Sequence, residues 1–396
     1  MVRRAAPRPP PADLRATARA FERAARRDGL LVPPGTRAFP EAGFALLQDF
    51  GLHAPAVHSF WGGLPDAAGQ LEPAARADLA DLLYLLRAVG RVSLALGRLY
   101  EGHLNALQLI GLFGSPAQRE STRRDLEQGL IFAVWNSDGP RALRLDVLRD
   151  GNFQLRGGKA FAAGAGRVER PIITATRADG GRQMVLLEEP LPGTAVDQKS
   201  WEPIGMEASC SFAIDLSGVE VERRQLLGEV DEFQREPWFS AGTLRGAAVQ
   251  LGGAEALFEL TRTHLRQRHL DPQQIARVAG MAIALESGAS WLERAAAHAD
   301  RCTPGQHGCE LAGRVLAYAD MARSAIERIC LEVQEAAIRS VGAAGLLRPH
   351  PMEQIVRDLT MYLRQSAADA PLDAVGRHVL ERQFALPELW DMGDGR

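Results

Sequence analysis

The chain has 396 residues, 46% of them hydrophobic and 24% charged, with a formal net charge of −3. A single core rarely fills that length, so two or three packed domains are expected. The near balance of charge removes any electrostatic case for nucleic acid or an anionic membrane surface. No uncharged apolar run reaches the roughly 18 residues of a membrane helix. Four cysteines are too few for a disulfide scaffold, which points to a cytoplasmic protein.

Residues 1–11 are basic and Pro-rich with no apolar stretch behind them, which predicts a disordered arm rather than a secretory signal. Residues 12–130 read as an N-terminal all-α domain. Leu79, Leu82, Leu83, Leu86 and Val89 recur at helical steps, and Ser115-Pro116 supplies an N-cap and a first helical residue. Near Ile131 the apolar period shortens to two, and residues 131–228 read as a middle antiparallel β domain. Leu143, Leu145 and Val147 alternate up to an Asp150-Gly151 turn, and Phe153 and Leu155 follow it. A second hairpin spans Ile172 to Leu187 around Asp179-Gly180-Gly181, and Phe212, Ile214 and Leu216 predict a later strand.

Residues 229–396 read as a C-terminal four-helix bundle. One stripe runs Leu244, Ala247, Ala248, Leu251, Ala254, Phe258, Leu265. Asp271-Pro272 opens the next helix, with Ile275, Val278, Ala282, Leu285 and Leu292 on one face. Leu311 to Val333 mark a third long helix, and shorter ones are expected at 351–364 and 371–382. The fold class is therefore α+β. Cys302, His307, Cys309 and Cys330 have no zinc-site spacing, so no metal is expected.

Several segments resemble the acyl-CoA dehydrogenase family over nearly the whole chain. Ile131-Phe132-Ala133-Val134-Trp135-Asn136-Ser137-Asp138-Gly139 is similar to the family's strand and loop beside the flavin ring, where Thr-Glu-Pro is usual. Gly151 to Ala165 is similar to its "G-x-x-L-x-G-x-K-x-[aromatic]-I-[ST]" hairpin. There the resemblance makes Phe161 the residue that packs on the isoalloxazine, with Ala163 in place of a flavin-bonding hydroxyl residue. Trp201 to Ser209, followed by a strand and Leu226-Leu227-Gly228, resembles the passage that closes the β domain. Arg266 stands where a family arginine reaches the FAD pyrophosphate of a neighbouring subunit. Arg339-Ser340-Val341-Gly342-Ala343-Ala344-Gly345 resembles the "Q-x-x-G-G-x-G" turn that approaches the dinucleotide, with Gly342 and Gly345 kept.

The resemblance fails at the catalytic base. In the family an Arg-Asp pair leads, eight residues on, to the glutamate of a "Y-E-G-T" turn. Counted from Asp358, that position is Ser366, followed by Ala367-Ala368. Other members place the glutamate on the first bundle helix, near Ser240 here, so both locations hold serine. A positioned base contributes about 10²–10⁴-fold, and a serine hydroxyl does not replace it near neutral pH. Asp369 is the substitute that sequence offers.

The family resemblance implies FAD, an acyl-CoA or other acyl substrate, an electron-transfer or reductase partner and a homodimer or homotetramer. It implies an oxidoreductase acting on a CH–CH bond of an acyl thioester or related substrate, with a non-standard or absent base. The alternatives are a flavin-dependent monooxygenase on the same fold, with Asn136, Ser137 and Ser366 near the flavin, and an inactive paralogue acting as a binding or partner subunit. No nucleic-acid or membrane partner is expected.

Overall fold

Helices form where the 3.6-residue apolar period meets a capping residue. The computed structural model describes residues 13–27, 38–55, 77–188, 196–236, 238–269, 271–301, 310–364 and 369–390. The chain begins with α1 (Leu14–Arg27), α2 (Glu41–Asp49), α3 (Leu79–Val92), α4 (Leu94–Phe113) and α5 (Pro116–Glu127). Ser115 and Gln118 cap α5 reciprocally, each side chain accepting the other's backbone N–H. The expected α3 stripe is buried throughout. α3 and α4 are separated by Ser93 alone, whose hydroxyl caps α4.

The β region holds β1 (Phe132–Trp135), β2 (Arg144–Val147), β3 (Phe153–Arg156), β4 (Gly158–Ala162), β5 (Arg170–Arg177), β6 (Arg182–Leu186), β7 (Val196–Asp197), β8 (Phe212–Asp215), β9 (Glu220–Val221) and β10 (Leu226–Leu227). Both expected hairpins form: β2 pairs β3 with Leu145 opposite Leu155, and β5 pairs β6 with Ile173 opposite Val185. One sheet has the order β10-β6-β5-β2-β3-β9 with β1 also on β5, and a second is β4-β8-β7. The sheets are not wholly antiparallel as expected. β1 and β2 both run parallel to β5, β1 along residues 170–173 and β2 along 176–177. They act as one edge run interrupted at 136–143, and the chain leaves the sheet there.

The last part is helical: α6 (Ala241–Leu265), α7 (Pro272–Ala299), α8 (Glu310–Val341), α9 (Pro351–Tyr362), α10 (Ala370–Leu380) and α11 (Leu386–Leu389). The α6 and α8 stripes are buried largely as expected. α7 differs in its first half, where Ile275 and Ile283 are exposed and burial begins at Met281. Its N-terminal apolar residues face a surface that no described element of this chain covers. Among the described residues no helix is long and apolar enough to cross a membrane.

Two junctions hold these parts together. At the first, α3 crosses α6 with backbones in contact. A methyl on Gly252 would lie 2.2 Å from the Arg87 carbonyl oxygen, and one on Gly90 would lie 2.3 Å from that of Val249. Beside the crossing, the Glu255 carboxylate accepts from Arg87 and, at 2.5 Å, from Arg91, which also reaches Glu22 at 2.8 Å. The second junction ties the β region to α9. Arg357 donates to the Ile204 carbonyl at 2.8 Å and to Glu207 at 3.1 Å, while Asp358 accepts the Met206 N–H at 2.5 Å. A methyl on Gly205 would sit 2.2 Å from the Arg357 carbonyl oxygen, so only glycine permits this approach.

Gly252→Ala should lower the stability measured by urea unfolding by on the order of 2–4 kcal/mol, since backbone rather than a flexible side chain must move. Glu255→Gln should cost about 3 kcal/mol in the same measurement, because it takes the carboxylate from the largely buried Arg87 and leaves Arg91 with Glu22 alone.

Candidate functional site

A cleft of about 840 Å³ opens where the three regions meet. α4 lines it with Arg98, Glu101 and Asn105, the end of β1 with Asn136 and Ser137, and β4 with Phe161. The start of α6 adds Ser240 and Thr243, α8 adds Asp320 and Arg323, and α9 adds Tyr362. The volume lies within the usual range for small-molecule and cofactor sites.

Phe161 is the conspicuous feature of one wall. Its φ of 52° puts a bulky side chain in the left-handed region, at a cost of about 1–2 kcal/mol. Yet the residue remains 63% exposed, its ring edge-on to Trp201 with centroids 6.2 Å apart. The fold strains its backbone to present an aromatic face it does not itself cover.

Behind the wall lies a buried polar network. Lys159, fully buried, donates to the Asp138 carboxylate at 2.6 Å, the Asn136 carbonyl at 2.9 Å and Thr174 Oγ1 at 3.2 Å. Arg182 donates to Asp138 at 3.1 Å and to Thr174 Oγ1 at 2.7 Å. Burial lowers the Lys159 amine to about 8, with the Asp138 carboxylate opposing the shift.

The helical walls carry charge. Arg98 and Glu101 pair at 2.6 Å. Arg245, buried on α6, donates to Gln108 Oε1 at 2.8 Å and Asn105 Oδ1 at 2.6 Å, and burial lowers its guanidinium to about 10. Tyr362 is 4% exposed, and its hydroxyl has no hydrogen-bond partner among the described residues. Burial pushes that phenol well above its usual range, which keeps it a neutral O–H. At the other end, Ser240 donates through Oγ to Glu236 at 2.8 Å and through its backbone N–H at 3.2 Å. Burial raises the Glu236 carboxyl, against these two bonds. The Asp320 carboxyl is pushed up to about 6 by burial, with Arg323 opposing and the charge of Glu236 adding to the rise.

Of the residues singled out by sequence, Asn136, Ser137 and Phe161 line the cleft. Trp135 and Ala163 do not; both are buried, and the Trp135 indole N–H donates to the Ala163 carbonyl at 2.9 Å inside the β core. Arg266, exposed at the end of α6, and Arg339, paired with Glu335 at 2.7 Å, lie beyond the cleft lining. Gly342, with φ 77°, follows α8, and Gly345 packs on Met352. His264 feels the charge of His350, so the end of α6 and the turn after α8 share one end of the bundle. About twenty residues of helix, roughly 30 Å, separate that end from the cleft-lining start of α6. Ser366 lies outside the described residues, as do Cys302, His307 and Cys309. Asp369 is exposed just before α10, next to the lining residue Ala370. Among the described residues no three metal-ligating side chains converge.

The order of regions and the position of the cleft can be set beside known proteins. Residues 239–363 match the family model of the acyl-CoA dehydrogenase C-terminal domain. Over those residues, and in its fold, the chain is acyl-CoA dehydrogenase-like. It is 26% identical over 349 residues to the dibenzothiophene monooxygenase of Rhodococcus erythropolis (strain XP), covering 78% of this chain and 82% of that one. It is 24% identical over 298 residues to the mitochondrial isobutyryl-CoA dehydrogenase of Dictyostelium discoideum, covering 70% and 68%. The solved structure of TdsC from Paenibacillus sp. A11-2, in complex with FMN and indole, superposes with a TM-score of 0.78 at 18% identity. That match covers 96% of this chain and 98% of TdsC, and at such identity it shows the shared fold.

Sequence reading missed Arg98, Glu101, Asn105, Asp320, Arg323 and Tyr362. Arg245 offered a signal, being a charge inside the Leu244–Ala248 apolar stripe. Asp320 and Arg323, three apart on α8, offered none that sets them apart from a solvated face.

A raised Asp320 pKa means that the group's stabilising contribution is complete below its ordinary value of 3.8 and is lost as pH rises through about 6. Asp320→Asn should therefore be more stable than the parent at pH 7.5, by about 1–2 kcal/mol after allowance for solvent. The difference should vanish near pH 4, as read from thermal unfolding across that pH range.

Proposed function

We propose that the protein is a flavin-dependent monooxygenase that receives reduced flavin from, or is reduced by, a separate reductase. The observation carrying this reading is the cleft wall of Phe161, Asn136 and Ser137, with serine at both places where the dehydrogenases put their glutamate. An isoalloxazine ring has apolar faces and a polar edge. The uncovered Phe161 ring suits a face, and Asn136 and Ser137 suit the edge. The unpartnered Tyr362 hydroxyl offers a further hydrogen bond to a ligand.

When bound and reduced, the flavin supplies two electrons to dioxygen, one oxygen atom entering the substrate and the other leaving as water. The chain's own residues then have defined tasks. Phe161 orients the ring, Asn136 and Ser137 supply neutral hydrogen bonds, and the apolar residues around them exclude water. Tyr362 and the Arg98–Glu101 pair orient a substrate from the helical lining of the cleft. No residue has to remove a proton from carbon. The relatives named as dibenzothiophene monooxygenases, and the TdsC complex with indole, make a small planar aromatic the first substrate class to try.

A CH–CH dehydrogenase reading has one observation in its favour, the Asp320 carboxyl near 6 in the cleft, within range for a general base. The fold also supports self-association. Ile275, Ile283 and Leu347 are exposed apolar residues of the helical region, and Arg266, Arg339 and Gly342 sit at the end of the bundle where a neighbouring subunit's FAD would be met. FMN, lacking the adenylate, has no need of that end.

The deciding experiment adds FMN or FAD to the purified protein and follows two reactions. Under air, with a flavin reductase and NADH, dibenzothiophene or indole should be oxygenated. Without oxygen, a panel of acyl-CoAs should leave the flavin oxidised. Bleaching by an acyl-CoA would instead establish a dehydrogenase, with Asp320→Asn expected to slow it at least 100-fold. Phe161→Gly should separate strain from function. It should fold with equal or higher stability, by about 1 kcal/mol, while flavin affinity measured by fluorescence quenching falls at least tenfold.

A further inference from the structure

Thr174 occupies the place next to Asn136 because β1 and β5 are parallel and in register. Val134 lies opposite Ile172 and Trp135 opposite Ile173, so the next pair, at the point where the chain leaves the sheet, is Asn136 and Thr174. Thr174 Oγ1 has three close neighbours: Arg182 Nη2 at 2.7 Å, Asn136 Oδ1 at 2.8 Å and Lys159 Nζ at 3.2 Å. Guanidinium and ammonium groups only donate. At neutral pH Lys159 remains protonated even though burial lowers it to about 8. Both lone pairs of the Thr174 hydroxyl are therefore taken by cations, and its single proton must be donated elsewhere.

The remaining acceptors are on Asn136. Its carbonyl, 3.4 Å from Thr174 Oγ1, already accepts from Lys159 at 2.9 Å. The proton goes to Asn136 Oδ1, the nearer acceptor. A flipped amide would aim its NH₂ at a hydroxyl that has no lone pair left, on a Thr174 that is fully buried. The two ends of an asparagine amide are alike in shape, so its orientation has to be deduced from its partners. Here the partners leave one solution.

We propose that Thr174, held by Lys159 and Arg182, is a positioning residue that locks the Asn136 amide with its NH₂ turned into the cleft, so that Asn136 meets a bound ligand as a donor only. Asp138 completes the device by holding both cations in place, at 2.6 and 3.1 Å. Two cations and one carboxylate leave a net positive charge beneath Asn136, which favours a ligand atom that is an acceptor and that gains negative charge. Resting on the flavin reading, this assigns the ligand atom facing Asn136 to an acceptor of the flavin ring or of the oxygen-receiving substrate.

Two measurements test the lock and the ligand separately. In ¹⁵N-labelled full-length protein without ligand, the Asn136 side-chain NH₂ protons should exchange rapidly with water. Slow exchange, with the NH₂ held against Thr174, would overturn the lock whatever the protein binds. With FMN, Thr174→Val should weaken binding about tenfold and shift the flavin absorption band, and Thr174→Ser should restore both. Asn136→Ala, which leaves the cation network whole, should weaken FMN to a similar degree. That variant, with Thr174→Ser, carries the test if Thr174→Val does not fold. Wild-type affinity and spectrum in Thr174→Val, or in Asn136→Ala, would overturn the proposal. Rapid exchange in a protein that binds neither FMN nor FAD would uphold the lock and sink the flavin reading.

Discussion

The cleft depends on the contact of two helix backbones. At Gly90 and Gly252 the carbonyls of α6 and α3 lie where any side chain would stand, so the two backbones meet directly. α4 leaves α3 after a single residue and has little freedom of its own. Arg98, Glu101 and Asn105 are thereby carried to a set distance from Ser240 and Thr243 on α6. The ion cluster of Glu255, Arg87, Arg91 and Glu22 adds direction at the same crossing. Its members are desolvated, so it stabilises only in one register.

The β region meets this helical frame with a deliberate irregularity. β1 and β2 follow the same edge of β5, and the gap between them turns Asn136 and Ser137 out of the sheet. His103 on α4 fixes where that run begins: Phe132 N–H donates to its Nδ1 at 3.0 Å, so the proton on Nε2 goes to the His53 carbonyl at 2.9 Å. Burial beside His53 keeps this imidazole neutral by holding it well below its ordinary range. Phe161 stores backbone strain on the neighbouring strand. Such strain persists only where surrounding structure over-determines it, and the Lys159 network, anchored one residue pair away, supplies that determination.

The sequence announced what is local. Period-three-and-four stripes located α3, α6 and α8, capping pairs located the starts of α5 and α7, and turn residues located both hairpins. The parallel pairings escaped because alternation within a strand says nothing about which distant strand it joins. The first half of α7 escaped for a related reason, since an apolar stripe reports that a face seeks cover without naming the cover. Among site residues, Asn136, Ser137 and Phe161 were legible through a motif that surrounds them. Asp320 and Tyr362 owe their environments to helices that approach from far along the chain. Trp135 and Ala163 were legible as neighbours of the site, yet their side-chain and carbonyl bond is directed inward, a choice of strand face that one residue of register decides.

The Arg357–Asp358 pair has a bearing on how such chains diversify. In this fold the pair is a mechanical joint: it grips residues 204–207 of the β region from a helix of the bundle. The position where a dehydrogenase base belongs comes eight residues after Asp358 in the sequence, outside the described residues, whereas every residue of the grip lies before it. The residues that couple the domains are thus distinct from the residue that would carry a dehydrogenase's base. Chemistry can change at the second place without disturbing the first, and half of a signature then records architecture rather than activity.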